Sequence, residues 1–387
     1  MKVTIIVGGR FHAFNLAEEL HRDKFLKQLI TSYPKSYIKK NFKVEDDLIR
    51  SLPLKEILFR SLKKINLIEK YFDIDLFTSN IFDVKASKYL DFDNTDIILG
   101  WSSFSLRSFE LAKKYNCIKI LERGSSHIEY QKDILKEEYD LIGLNPKIPS
   151  PKLIDKEKKE YDLSNYISVP SEFAKKSFLE KGFDKNKIVK IPYGVDLNNF
   201  FLSNKSKNDY QFNIICVGAI SVRKGVIYLI KAFNELNLKN SELILIGDIE
   251  KGFEKILKPF LNDNVKIINS VDQNSLRTFY NKSSVFVTCS IEDGFGMVIL
   301  QAMACALPVI ATHNTGGSEI VDDGIDGYVL PIRDVEKLKE KILFLYQNRN
   351  HLLSMSKNAE MKAQTLFSWK NYGDKIKNFY SYILKKN

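Results

Sequence analysis

The sequence predicts an α/β protein of two tandem doubly wound parallel sheets, and three observations carry that prediction. Short apolar runs alternate with helical patterns from one end of the chain to the other, as β-α units require. The 387 residues exceed what one hydrophobic core usually serves. A polar, irregular stretch, LNNFFLSNKSKNDY, breaks the alternation at 197–210, after which a fresh apolar strand begins.

In the first half VTIIVGG, DIILGW, CIKILER, YISVPS and KIVKIPYG read as strands; in the second, FNIICVGAI, ELILIGD, NVKIINS, SVFVTCS, PVIAT and GYVLP do. The expected domains are 1–197 and 198–367, with a last helix over 368–387 that packs back across the boundary. Two such sheets leave a cleft between them, and their ligands bind beyond the carboxyl ends of the strands.

Composition narrows the function classes. Hydrophobic residues at 44% supply two cores, and a charged fraction of 28% argues against wholesale disorder. No run approaches roughly 18 uninterrupted apolar residues, so the reading is a chain without a membrane span or signal peptide. Cys117, Cys216, Cys289 and Cys305 lie far apart without metal-ligand spacing and read as buried thiols of a reducing cytoplasm.

The formal charge of +11 draws anionic surfaces, phosphorylated ligands or nucleic acid. It is densest over 22–70, with thirteen Lys/Arg against six Asp/Glu. There SLPLKEILFRSLKKINLIEKYF reads either as a helix with a solvated face or as a basic amphipathic surface for an anionic membrane. No nucleic-acid module appears, and nucleic acid is not expected as a partner. The Lys-, Asn- and Ile-rich usage suits an A+T-rich bacterial genome.

Each glycine cluster follows a strand and precedes a helix, where backbone amides and the helix dipole favour anions. Gly8 and Gly9 form the first. Gly218 opens VGAISVRKG, in which Arg223 and Lys224 stand before a helix and suit a diphosphate; their plain alternative is solvated surface charge. Gly316 and Gly317 lie in NTGGSEIV. In IEDGFGMVILQAMACA the loop Glu292, Asp293, Gly294, Phe295 and Gly296 leads into an apolar helix. Asp293 and Gln301 are about two helical turns apart, so both can face one ligand and hydrogen-bond sugar hydroxyls. Alternatively, Asp293 caps the helix and Gln301 satisfies a backbone group.

Over residues 165–330 the segments SVPSEFAKKSF, IPYGVDLNNF, VGAISVRKG, EDGFGMVILQAMA and NTGGSEIV follow one another. In that order and spacing the chain resembles the retaining, nucleotide-sugar-dependent glycosyltransferases of the GT-B fold known as family 4, or glycosyl transferases group 1. The family's two glutamates, separated by seven residues, fall on Asp293 and Gln301. By resemblance Asp293, a methylene shorter, binds donor-sugar hydroxyls, and Gln301 bonds the nucleotide ribose without a charge. The family's phosphate-binding arginine falls on Ala219 and its lysine on Lys224, which makes Arg223 the candidate for the missing cation. Gly316 and Gly317 match a loop near the donor, and Gly8 and Gly9 match the loop facing the diphosphate. His127, in LERGSSHIEYQ, takes the place of an active-site histidine. A lone histidine is more often structural, but this one has Arg123, Gly124 and two serines beside it. His12 and Arg123 are candidates for the acceptor side.

The resemblance implies a hexosyltransferase using a UDP-, GDP- or other nucleoside-diphosphate sugar, with no cofactor and no metal. Its acceptor would be a glycan or lipid-linked glycan of a bacterial surface polysaccharide such as lipopolysaccharide or capsule. The enzyme would be cytoplasmic and peripheral to the membrane through segment 22–70. The rivals are a GT-B-fold epimerase, a phosphorylase, for whose pyridoxal cofactor no motif appears, and an inactive nucleotide-sugar-binding protein, given Ala219 and Gln301. Two Asp-x-Asp runs, Asp73–Asp75 and Asp91–Asp93, raise a metal-dependent glycosyltransferase of another fold, against which the second doubly wound domain argues.

Overall fold

A computed structural model describes residues 1–65, 72–203 and 211–386. Residues 204–210 of the expected boundary and 66–70 of the basic stretch lie outside the described residues. The first sheet holds β1 (Val3–Val7), β2 (Leu26–Thr31), β3 (Ile49–Ser51), β4 (Ile97–Trp101), β5 (Ile118–Glu122), β6 (Tyr166–Val169) and β7 (Ile188–Lys190). The second holds β8 (Phe212–Val217), β9 (Ser241–Ile246), β10 (Val265–Ile268), β11 (Val285–Thr288), β12 (Val309–Thr312) and β13 (Gly327–Leu330).

Strand order is β3-β2-β1-β4-β5-β6-β7 in one sheet and β10-β9-β8-β11-β12-β13 in the other, and the named pairs are parallel. Such strands are covered by helices on both faces, which is why β1, β4, β11 and β12 read as unbroken apolar runs and are buried throughout. In each sheet the order reverses beside the first strand, between β1 and β4 and between β8 and β11. Ligand crevices open at such switch points. Gly8 and Gly9 follow β1, Gly218 follows β8, and the loop 289–296 follows β11.

The basic stretch 22–70 is not one segment, although the part read as an amphipathic helix, 51–72, does hold the helix Leu54–Leu62. Its described part is broken into β2, the helix Lys35–Asn41, the 3-10 turn Asp46–Leu48, β3 and the helix Leu54–Leu62. β2 and β3 complete one edge of the first sheet, and Lys27 within β2 pairs with Asp91 at 2.9 Å. Lys27 and Gln28 inside LKQLIT hid the strand from a reading that looked for apolar runs.

Two elements tie the halves together. The helix Trp369–Lys386 lies against Ala13–Arg22: a side chain at Gly373 would meet the Glu19 Cβ at 2.7 Å. Further along, Phe379 sets its ring edge-on to Tyr166. The helix Ile128–Ile142 follows β5 in sequence, yet Leu135 and Tyr139 on it belong to the apolar cluster of the second sheet. It is also bonded there through Tyr139 to Glu250 at 2.5 Å, Glu138 to Tyr228 at 2.7 Å and Glu138 to Arg333 at 2.6 Å.

Candidate active site

The two switch points share a cavity of about 580 Å³. From the first sheet come Gly8, Gly9, His12, Trp101, Ser102 and Arg123; the second contributes Arg223 and Met297, and Tyr193 lies between. A neighbouring cavity of about 310 Å³ shares Phe11, His12 and Met297 and adds Arg10, Asn199 and Gln301. A third, of about 210 Å³, lies beyond the carboxyl ends of β8 and β9, lined by Gly218, Ala219, Gly247, Asp248 and Ser270.

Local backbone geometry presents the cations. The turn after β8 ends at Gly225, in the left-handed region at φ 60, which starts the helix Val226–Leu236 and leaves Arg223 and Lys224 just before it. The loop after β11 is stitched to this turn: the Ile291 amide donates to the Arg223 carbonyl at 2.9 Å. Lys224 Nζ then pairs with Asp293, while Arg223 Nε donates to Glu292 at 2.8 Å and its Nη2 lies 4.0 Å from Asp293.

This pairing separates the two readings of Asp293. The N-cap of Met297–Ala304 is Gly296, left-handed at φ 73, and no side chain caps it. Burial raises the Asp293 carboxyl, but the Lys224 and Arg223 charges outweigh it and hold the group below its ordinary range. Gln301 has the Tyr280 hydroxyl at 3.4 Å, a weak contact, and lines the neighbouring cavity.

Other predicted residues shape the site rather than line it. Gly316 donates its amide to the Phe295 carbonyl at 2.9 Å, and Asp293 donates its own to Asn314 at 2.9 Å, so NTGGSEIV braces the 291–296 loop. Gly317 is buried at the start of the short helix Gly317–Ile320. Three expectations need correction. Phe295, read as donor-binding, is buried in the core with its ring edge-on to Tyr193 at 5.0 Å. Gly294 contacts the other domain, since a side chain there would meet the Gly124 carbonyl at 2.1 Å. Glu292 is fully buried and bonded to Ser125, Ser126, Gln131 and Arg223 rather than presented to a donor.

His127 is the largest correction. It is the N-cap of Ile128–Ile142, its Nδ1 accepting the Glu129 amide at 3.2 Å, and its ring is packed among Tyr161, Phe178 and Phe183. Burial lowers its pKa to about 4, so it is neutral at pH 7. Thus the histidine at the end of β5 turns into the first domain's core, while His12 lines the cleft. The His12 Nε2 lies 3.5 Å from Glu122, and the ring sits 3.9 Å from Tyr193. Arg123 also lines the main cavity, held by Glu157 at 2.9 Å, Gln131 at 3.0 Å and the Ser126 carbonyl at 2.9 Å.

Sequence reasoning missed Trp101, Gln131, Tyr193 and Met297. Trp101, Tyr193 and Met297 each adjoin a glycine in a segment already quoted, and Gln131 ends the quoted LERGSSHIEYQ, but nothing local marks them as lining a cavity. The Asp-x-Asp runs are structural: Asp73 caps Ile74–Ser87 through the Leu76 amide at 2.8 Å, and Asp91 holds Lys27.

Residues 199–362 contain the second-domain groups of this site, and they match the family described as Glycosyl transferases group 1. The second half of the chain is thus similar to that family. The chain is 34% identical to an uncharacterized glycosyltransferase of Methanocaldococcus jannaschii over 185 residues, 48% of the chain and 51% of that protein. It is 28% identical to the capsular polysaccharide biosynthesis glycosyltransferase CapM of Staphylococcus aureus over 218 residues, 52% of the chain and 57% of CapM. The chain thus spans about half the length of these curated relatives. Among solved structures, sucrose-phosphate synthase from Thermosynechococcus elongatus superposes with a TM-score of 0.74 at 18% identity, covering 100% of both chains. The fold is GT-B, two Rossmann-like domains about a cleft.

Proposed function

We propose that the chain is a retaining glycosyltransferase that moves a hexose from a nucleoside diphosphate to a glycan or lipid-linked glycan of a surface polysaccharide. The observation that carries this reading is the Arg223–Lys224 pair at the mouth of the β8 turn, set beside Asp293 and opposite the Gly8–Gly9 turn. The cavity beside Gly218 takes the nucleoside, the cations take the diphosphate, and Asp293 bonds the sugar hydroxyls.

In the reaction the anomeric C–O bond to phosphate breaks with its electron pair going to the phosphate. The acceptor hydroxyl oxygen then bonds to the same face of the sugar, and its proton passes to the departing phosphate oxygen. Arg223 and Lys224 stabilise the growing negative charge, a preorganised electrostatic effect worth about 10²–10³ in rate per donor group. They do this without a metal or cofactor. His12, Arg123 and Trp101 stand on the acceptor side. CapM's role in capsule synthesis supports a polysaccharide acceptor. Among the described residues no helix is long and apolar enough to cross a membrane. The proposed location is therefore cytoplasmic and peripheral, with Ile57 (58% exposed), Leu54, Phe72 and Phe77 beside Arg60, Lys63 and Lys64 as the membrane-facing surface.

The second reading, a nucleotide-sugar-binding protein without turnover, draws on Ala219 and Gln301. A panel of UDP-, GDP- and ADP-sugars scored for slow donor hydrolysis separates the two. One donor is expected to be cleaved, and Lys224→Ala and Asp293→Ala each to lower that rate by about 10²-fold. Tight binding of one donor without cleavage, acceptor supplied, contradicts the transferase reading.

A further inference from the structure

Glu292 belongs to the second domain, but three of its bonding partners belong to the first. One carboxylate oxygen accepts the Ser125 hydroxyl at 2.6 Å, the Ser126 amide at 3.1 Å and the Ser126 hydroxyl at 2.7 Å. The other accepts Gln131 Nε2 at 2.9 Å and Arg223 Nε at 2.8 Å. Four of these five donors cross the cleft.

The crossing is built into the backbone as well. Gly294 lies so close to Gly124 and Ser125 that any side chain would hold the loops apart: its Cβ would fall 2.1 Å from the Gly124 carbonyl and 2.5 Å from the Ser125 Cα. Gln131 meanwhile accepts from Arg123, which pairs with Glu157. A continuous chain of polar groups therefore runs Glu157–Arg123–Gln131–Glu292–Arg223–Asp293–Lys224, from the acceptor wall to the phosphate cations.

Guanidinium geometry gives this chain its consequence. Arg223 spends its Nε on Glu292, which leaves the Nη groups for the cavity and for Asp293, 4.0 Å from Nη2. The carboxylate keeps that one-point hold because donors of the first domain fill its other lone pairs. Without them, the fork of Arg223 is free to close on the carboxylate in the bidentate way that such pairs favour, withdrawing an Nη donor from the cavity.

We propose that Glu292 is a positioning residue that aligns Arg223 on the leaving phosphate only while the two sheets are in contact. The proposal rests on the phosphate role given to Arg223 above, and it adds that contact between the domains is read at this carboxylate. Glu292 does not touch the donor; it acts through Arg223.

The test pairs a distance with a rate. Spin labels at exposed Lys113→Cys and Asp263→Cys report the separation of the two domains with UDP or GDP bound. In Glu292→Gln and Ser126→Ala the distance distribution is expected to broaden toward longer values. Turnover is expected to fall about 10²-fold, as for a misplaced catalytic group, with donor KM changed less than about threefold. Ser126→Ala removes a hydroxyl on the far side of the cleft, so its defect reports contact between the domains even where Glu292→Gln also weakens folding. Lost turnover with an unchanged distance distribution in both variants overturns the proposal, and so does unchanged turnover in both. If wild type cleaves no nucleotide sugar, the functional reading fails, while the distance measurement still decides the domain-contact part.

Discussion

Neutral His127 accepts the Glu129 amide and fills an aromatic pocket, which makes it a stability residue. Its folded pKa is about 4 against a reference of 6.5. Burial causes the depression, and Arg123, Lys158 and Lys181 add to it against the opposing charge of Glu129. Above pH 6.5 both states are unprotonated here and the term is silent. As pH falls from 6.5 toward 4 the unfolded chain binds a proton that the folded chain refuses, so stability is lost. Between pH 7 and pH 5 this amounts to about 2 kcal/mol. His127→Asn keeps a capping oxygen and removes the titration. Urea denaturation at both pH values is expected to show a smaller acid loss in the variant than in wild type, and equal losses contradict the assignment. The sequence displays this histidine at a strand end but not which way its ring turns; tertiary packing decided that. Glu292 was opaque for a related reason, since its partner Gln131 lies 161 residues away.

Among the elements, the helix Ile128–Ile142 was hardest to place from sequence. Its amphipathic pattern is plain, yet its apolar face is shared with the second sheet, and no local signal says which core a helix joins. Gly143, left-handed at φ 77, ends it and lets the chain return to the first domain at Ser150, which caps Pro151–Leu163. The strands of both sheets were legible where two buried faces demanded unbroken apolar runs, and illegible at β2 and β3, where charged residues interrupt an edge. The helix Leu54–Leu62 carries the membrane question. In a flotation assay the protein is expected to rise with anionic but not neutral vesicles, and Ile57→Glu to reduce recovery several-fold. Equal recovery with both vesicle types, or none with either, would sink the membrane reading.

For the whole molecule, the excess charge of +11 lies outside the cleft pairings, where Arg223 and Lys224 are balanced by Glu292 and Asp293. Both loops that carry these groups leave adjacent strands at a switch point, so the parallel topology itself brings them together. A second polar tie, from Glu319 to the Glu172 amide at 2.6 Å and to Lys190 at 3.3 Å, holds the domains on another side. The ordered motifs of 165–330 made the fold and the cations legible. The division of labour between Glu292, turned to the other domain, and Asp293, turned to Lys224, needed three dimensions.

The central claim is that Arg223 and Lys224 hold a diphosphate. It is tested most directly by calorimetry with UDP against UMP and GDP against GMP, on wild type and on Arg223→Ala/Lys224→Ala. One diphosphate is expected to bind wild type at least about tenfold more tightly than its monophosphate, a difference of about 1.4 kcal/mol, and to lose that advantage in the double variant. An equal preference in wild type and variant would contradict the account.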